Sequence, residues 1–277
     1  MKFIKSKNTD GQEVNLYYED LGQGKPAILI HGWPLDHQMW ENQFQALVEG
    51  GYRVIAYDRR GFGKSDKPWT AYDYSTLADD LKAVIDQLQL EDVALIGFSM
   101  AGGEVVRYFS RHGGAKVSKA VLVSSIAPYM LQTEDNPDGV PQETIQAIGE
   151  GLEKDRAAFL DDFGKQFFGV NLLNHPVSNQ MLEWNLHVAM QASLRATTEC
   201  ATSFATTDLR SEMSSISVPL LVIHGDADQT VPIKATGEQA AQLVPHAQYI
   251  IYEGQPHGLF YTAKEQLNVD LLEFLSK

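Results

Sequence analysis

Val93-Ala94-Leu95-Ile96-Gly97-Phe98-Ser99-Met100-Ala101-Gly102-Gly103-Glu104-Val105-Val106 joins a short apolar run of strand type to a segment of helical character, with a serine at the junction. A strand that passes at once into a helix must turn sharply, and such a turn holds one side chain clear of both elements. Ser99 is therefore expected in a sparsely populated backbone region with its hydroxyl presented as a nucleophile. Gly97 allows a close approach of neighbouring backbone, and Ala101 and Gly102 leave room for the helix to pack on the strand. The usual pattern ends in glycine where this chain has Ala101, a difference of one methyl group. Alone, the stretch reads equally well as a glycine-rich turn holding an incidental serine, so the rest of the chain must decide.

Outward from Ser99, strand and helix alternate. Phe3 to Ser6 and Val14 to Glu19 read as a hairpin around Asn8-Thr9-Asp10-Gly11. Pro26 to Ile30 is a continuous apolar run, as expected of a strand covered on both faces, and leads into His31-Gly32-Trp33-Pro34-Leu35. A helical pattern covers about Gln38 to Val48. The strand Arg53 to Tyr57 precedes the turn-rich loop Asp58-Arg59-Arg60-Gly61-Phe62-Gly63-Lys64-Ser65. Ser75 to Leu90 is amphipathic, and Val117 to Ser125 is a further buried strand. This alternation specifies a mostly parallel sheet with helices on both faces, whose ligands bind outside the carboxyl ends of the strands. Ser99, His31 to Trp33 and the loop after Tyr57 all fall there.

The rhythm breaks after Pro128. From Tyr129 to about Ser215 the patterns are helical only: Glu143 to Leu152, Asp155 to Phe163, Asn179 to Met190 and Thr197 to Thr206. The expected organisation is a core of residues 1–127 and 216–277 with residues 128–215 inserted as a helical cap. Most of its large apolar side chains should pack its helices, and a few should face an apolar pocket between cap and sheet edge. Strand and helix resume with Val218 to Ile223, a helix over Ile233 to Leu243, a strand over Ala247 to Tyr252 and a final helix over Glu265 to Leu275.

A serine hydroxyl needs a base within hydrogen-bond reach, and the base needs a carboxylate to orient it. His257, in a Pro-His-Gly turn, and Asp228, after the strand ending at Ile223, are the candidates. Asp226 rivals Asp228, but its place nearer the strand end suits a turn carboxylate that binds backbone amides. His31 and His224 rival His257, but each abuts a strand end and precedes glycine, which favours a structural hydrogen bond. The histidines lack metal-ligand spacing. An oxyanion needs fixed donors: the backbone N–H of Met100 in the first helical turn is one, and that of Trp33 is the best second. Pro34 has no N–H to offer.

With 277 residues, 44% of them hydrophobic and 21% charged, the composition is that of an ordinary globular protein. The formal net charge of −14 argues against nucleic-acid or anionic-membrane partners. No leader-like or membrane-spanning apolar run is present, which suggests a cytoplasmic protein. Cys200, the single cysteine, reads as a small buried hydrophobe. A homo-oligomer is neither indicated nor excluded.

The assembled residues resemble the cofactor-free haloperoxidase, perhydrolase and aryl esterase family of α/β-hydrolases. The likeness spans nearly the whole chain through His31-Gly32-Trp33-Pro34-Leu35, Asp58 to Ser65, Gly97-Phe98-Ser99-Met100, His224-Gly225-Asp226-Ala227-Asp228-Gln229-Thr230-Val231-Pro232 and Pro256-His257-Gly258. The resemblance implies the α/β-hydrolase fold, with Ser99 as nucleophile, Asp228 as acid, His257 as base, and Trp33 and Met100 as oxyanion donors. It implies a pocket lined by Trp33, Ile126, Met130, Phe163, Phe167, Thr230 and Ile233. It further implies a small carboxylic ester or acid as acyl donor, with water or hydrogen peroxide as acceptor. A peracid formed in the second case would oxidise halide away from the protein, so no haem, metal or other cofactor is called for. The competing readings are a plain carboxylesterase or lactonase, a hydroxynitrile lyase, and a non-catalytic small-molecule receptor on the same scaffold.

Overall fold

The computed structural model describes residues 2–8 and 11–277. In chain order the elements are β1 (Phe3–Lys7), β2 (Glu13–Gly22), β3 (Pro26–Ile30), α1 (Glu41–Glu49), β4 (Arg53–Tyr57), α2 (Tyr74–Gln87), β5 (Val93–Phe98), α3 (Met100–His112) and β6 (Val117–Val123). There follow α4 (Gln142–Phe167), α5 (Asn179–Ala189), α6 (Leu194–Thr206), β7 (Leu220–Gly225), α7 (Gly237–Leu243), β8 (Gln248–Tyr252), α8 (Leu259–Thr262) and α9 (Lys264–Ser276).

The strands form one eight-stranded sheet in the order β1-β2-β4-β3-β5-β6-β7-β8. β1 and β2 join antiparallel at one edge, and β3 to β8 run parallel. β3 through β7 are buried almost throughout, which is why their sequences read as continuous apolar runs. The chain leaves β3 toward β4 and returns on the other side with β5, so strand order reverses between β3 and β5. A crevice opens at the carboxyl edge at such a point. The loops after β3, β5, β7 and β8 all emerge at that edge.

Several boundaries differ from the sequence expectation. The pattern from Gln38 begins as a 3-10 turn, His37–Trp40, because the Asp36 side chain accepts from Gln38 N at its start; α1 follows only from Glu41. The two helices expected to either side of Asp155 are both present as the halves of α4, separated by a kink at Asp155, which is non-helical at φ −157°, ψ 90°. Asp155 Oδ1 accepts from Ala158 N and so starts the second half as a cap would, and that half continues to Phe167. The helix expected from Ile233 starts only at Gly237. Before it, Ala235 N bonds Pro232 O and Thr236 N bonds Ile233 O, three-residue turns that consume the donors a regular helix would use. The short α8 went unforeseen. Of the expected hairpin turn, Thr9 and Asp10 lie outside the described residues. Between β6 and β7 the described residues form helices and turns, with only the isolated bridges Leu131–Val140 and Thr133–Asn136. Among the described residues, no helix is long and apolar enough to cross a membrane.

The loop after β4 is pinned from both sides by buried charge. Arg60 makes a bidentate pair with Asp80 of α2 at 2.7 Å, and its Nη1 reaches Asn8 Oδ1 at 2.6 Å. Replacing one member of a buried pair leaves the other charge unsatisfied. Arg60→Met should therefore cost about 3–5 kcal/mol in urea unfolding. Adding Asp80→Leu should restore most of that loss; a double variant no more stable than the single would contradict the pairing argument.

Candidate active site

Ser99 caps the N-terminal end of α3 with φ 54° and ψ −117°, a backbone region that L-residues avoid. The strain is held by neighbours: Ser99 N donates to Val123 O, and its carbonyl accepts from Gly102 N and Ile126 N. A Cβ at Gly97 would stand 2.9 Å from Ala101 O, so glycine is what allows the first turn of α3 to sit on β5. Ala101 is fully buried and tolerated where the common pattern has glycine.

The loops after β7 and β8 bring two more side chains to this turn. His257 Nε2 lies 2.9 Å from Ser99 Oγ, and its Nδ1 lies 2.6 Å from Asp228 Oδ2. Asp228 Oδ1 accepts from the backbone amides of Thr230 and Val231, each at 2.8 Å. Its Oδ2 also has His224 Nε2 at 3.2 Å. Burial alone would drive this carboxyl toward its neutral form; the His257 charge and the bonds from His224 and His257 outweigh it and hold the group well below the usual carboxylate range. An anionic Asp228 fixes the His257 tautomer with the proton on Nδ1. Nε2 is then free to take the serine proton.

The rivals take other places. Asp226 accepts from Gly254 N at 2.6 Å, tying the two loops together as a turn carboxylate. His31 accepts from Arg59 N through Nε2 and faces Gly32 O through Nδ1, both at 2.9 Å. Burial and the adjacent Arg59 charge push it down to about 3, so it stands as a neutral post under the loop after β3. Arg59 donates to His31 O and pairs with Glu104 of α3, so that loop and α3 share one buried ion pair. Cys200 is buried, and burial pushes its thiol up to about 12.

A cavity of about 350 Å³ opens above Ser99 and His257. Of the residues expected to line it, Trp33, Ile126, Met130, Phe163 and Thr230 do. Phe167 and Ile233 do not. The Phe167 ring packs against the imidazole, its centroid 4.9 Å away, with Phe98 at the same distance. Ile233 belongs to the turns before α7 and supplies its carbonyl there. The sequence reading missed Val140, Thr144, Ile145, Ala147, Ile148 and Phe159 of the segment between β6 and β7, along with Phe204 and Val231. The apolar spacing of α4 was visible, but which of its faces looks down depends on how the helix crosses the sheet. Met100 opens α3, where a first-turn N–H has no helical acceptor and is available to an oxyanion. The Trp33 indole is clamped by Nε1 donating to Thr197 O at 2.9 Å.

A model of the alpha/beta hydrolase fold family matches residues 25–264. The chain is 42% identical to the non-heme chloroperoxidase CPO-A1 of Kitasatospora aureofaciens, over 95% of this chain and 97% of that one. It is 37% identical to the bifunctional esterase/perhydrolase DCH of Acinetobacter calcoaceticus, over 95% and 96%. The crystal structure of a bromoperoxidase from Bacillus anthracis superposes with a TM-score of 0.95 at 42% identity, covering 100% of both chains.

One cluster of potential metal ligands occurs among the described residues: Asp36, His37 and Asp58, all buried. Their atoms are already engaged. Asp58 accepts from His37 N, His37 Nδ1 and Lys64 N, and Asp36 accepts from Gln38 N and Gln38 Nε2. A cation would have to break these bonds, and the cluster shares no residue with the cavity above Ser99. Burial and the nearby Asp58 charge instead raise the Asp36 carboxyl to about 6. Because the folded value lies above the unfolded one, Asp36 is neutral in the fold at acid pH and costs stability as pH rises from about 4 through 6. Asp36→Asn keeps an acceptor for Gln38 N and removes that cost. Its unfolding free energy should exceed the native value by about 1–2 kcal/mol at pH 7.5 and match it near pH 4; an equal difference at both would refute the assignment.

Proposed function

Because the chain belongs to the α/β-hydrolase family, in the group that holds non-heme haloperoxidases and esterase/perhydrolases, we propose that it catalyses serine-dependent acyl transfer from small carboxylic esters or acids. The observation that carries this reading is His257 standing between Ser99 Oγ at 2.9 Å and Asp228 at 2.6 Å, at the foot of an apolar cavity. Residues 128–215 serve as the cap that makes this cavity over a core of residues 1–127 and 216–277.

Ser99 Oγ attacks the acyl carbonyl as its proton passes to His257 Nε2. The oxyanion is received by the N–H groups of Trp33 and Met100. Collapse expels the alcohol, which takes the proton from His257, and leaves Ser99 acylated. The imidazole then takes a proton from water, giving a carboxylic acid, or from hydrogen peroxide, giving a peracid. Either product leaves as the proton returns to Ser99 Oγ. The peracid carries the oxidising equivalent of the peroxide and passes its outer oxygen and proton to bromide or chloride as hypohalous acid, leaving the carboxylate. Small esters, carboxylic acids, hydrogen peroxide and halide are therefore the proposed partners, and none of the steps calls on a cofactor.

Ser99→Ala should lower kcat on 4-nitrophenyl acetate by at least about 10⁴-fold with folding intact. Turnover that survives the substitution would remove the proposed nucleophile. With added peroxide and bromide, the native protein should halogenate a reporter dione, and Ser99→Ala should not. Esterase activity without halogenation would leave a plain esterase. Each acyl methylene that fits the cavity is worth about 0.8 kcal/mol, so kcat/KM should rise about fourfold per carbon from acetate until the cavity is full. A flat series would contradict an apolar acyl site.

A further inference from the structure

His224, the penultimate residue of β7, has no exposed surface, and its imidazole lies beside the same Asp228 carboxylate that His257 binds. Its Nε2 faces two acceptors, Asp228 Oδ2 at 3.2 Å and Val231 O at 3.1 Å. Its Nδ1 is buried with no partner. A nitrogen that faces a carboxylate and a carbonyl must carry a proton, so His224 Nε2–H is a donor shared between them. The ring can stand there because the next element begins with Gly237, where a Cβ would lie 2.7 Å from His224 Nδ1.

We propose that His224 is a positioning residue for the relay, donating to Asp228 Oδ2, the same oxygen that His257 binds. The inference rests on the acyl-transfer reading above. It has two consequences. With Thr230 N and Val231 N on Oδ1 and two imidazoles on Oδ2, the carboxylate cannot rotate away from His257. The oxygen also divides its negative charge between two donors, so its pull on a proton at His257 is moderated. Removing one donor leaves more of that charge facing His257, a change that the acid limb of the pH–rate profile reads.

The other groups facing the relay are few. β5 and α3 bring the neutral Ser99 hydroxyl, α4 brings the Phe167 ring, and α7 begins at Gly237. Asp162 of α4 is the remaining ionisable side chain lining the cavity and is paired with Lys165 at 2.8 Å. Apart from Gly237, these stay unchanged in the variants below.

The test is the pH profile of kcat/KM on 4-nitrophenyl acetate, with circular dichroism and Tm as folding controls. His224→Leu removes the donor and should move the acid limb up by about 0.5–1 pH unit, with kcat lowered about tenfold and KM unchanged. His224→Gln can return an N–H near the same place and should bring the limb back toward the native position. Gly237→Ala presses on the ring without altering its chemistry and should shift the limb in the same direction, which keeps the test decisive if His224→Leu does not fold. An acid limb that stays at the native position in His224→Leu, or in Gly237→Ala where the first is unfolded, overturns the proposal. A limb displaced equally in His224→Leu and His224→Gln does so too. Loss of all activity in Ser99→Ala is independent of these outcomes and bears on the acyl-transfer reading alone.

Discussion

A carboxylate taken out of water must find its hydrogen bonds in the protein, and the Asp228 side chain is the place where this demand organises the molecule. Two backbone amides of its own loop meet one oxygen, and His257 and His224 meet the other. Each donor comes from a loop or strand end at the carboxyl edge of the sheet. The requirement to satisfy one buried anion thus fixes how the loops after β7 and β8 lie beside each other. Once His257 is oriented by that anion, its second nitrogen can only point at the strained turn after β5.

The segment between β6 and β7 does more than roof the cavity. Consecutive residues of α4 hold both loops of the relay: Gln166 Nε2 donates to Gln229 O at 3.0 Å, and Phe167 O accepts from Gly258 N at 2.8 Å. The Phe167 ring then lies against the imidazole it helps to anchor. α6 holds the Trp33 indole through Thr197 O, and Phe163 of α4 packs edge-on against the same ring. The cavity walls and the Ser99–His257–Asp228 geometry are therefore set by the same helices. A shift of α4 would change the pocket and the relay together.

A cavity walled by aliphatic and aromatic side chains suits the chemistry proposed for it. Walls of low polarity strengthen the hydrogen bonds that join Ser99, His257 and Asp228 at its foot. The buried Arg59–Glu104 pair and the neutral His31 keep the loop after β3 in a fixed relation to α3. Preorganisation of this kind is costly to build and is found where a site must be rigid.

Ser99 was legible in the sequence because a strand meeting a helix without a linker leaves one way to turn. The parallel core was legible because strands buried on both faces must be apolar at every position. Those patterns are local. Asp228 and His257 were nameable as residues that follow strands of a parallel sheet, which brings their loops to one edge whatever the packing details. What the sequence could not decide was every question of facing. Phe167 and Phe163 lie one turn apart on α4, yet one backs the imidazole and the other lines the cavity. Ile233 sits in turns rather than in a helix, because Pro232 and Thr236 organise the local hydrogen bonds. His224 reads as a strand-end histidine and becomes a neighbour of the acid only when β7 and its following loop fold back on themselves. Local pattern fixes which element a residue belongs to; its direction within the element depends on how helices cross the sheet, and only the packed tertiary structure sets that angle.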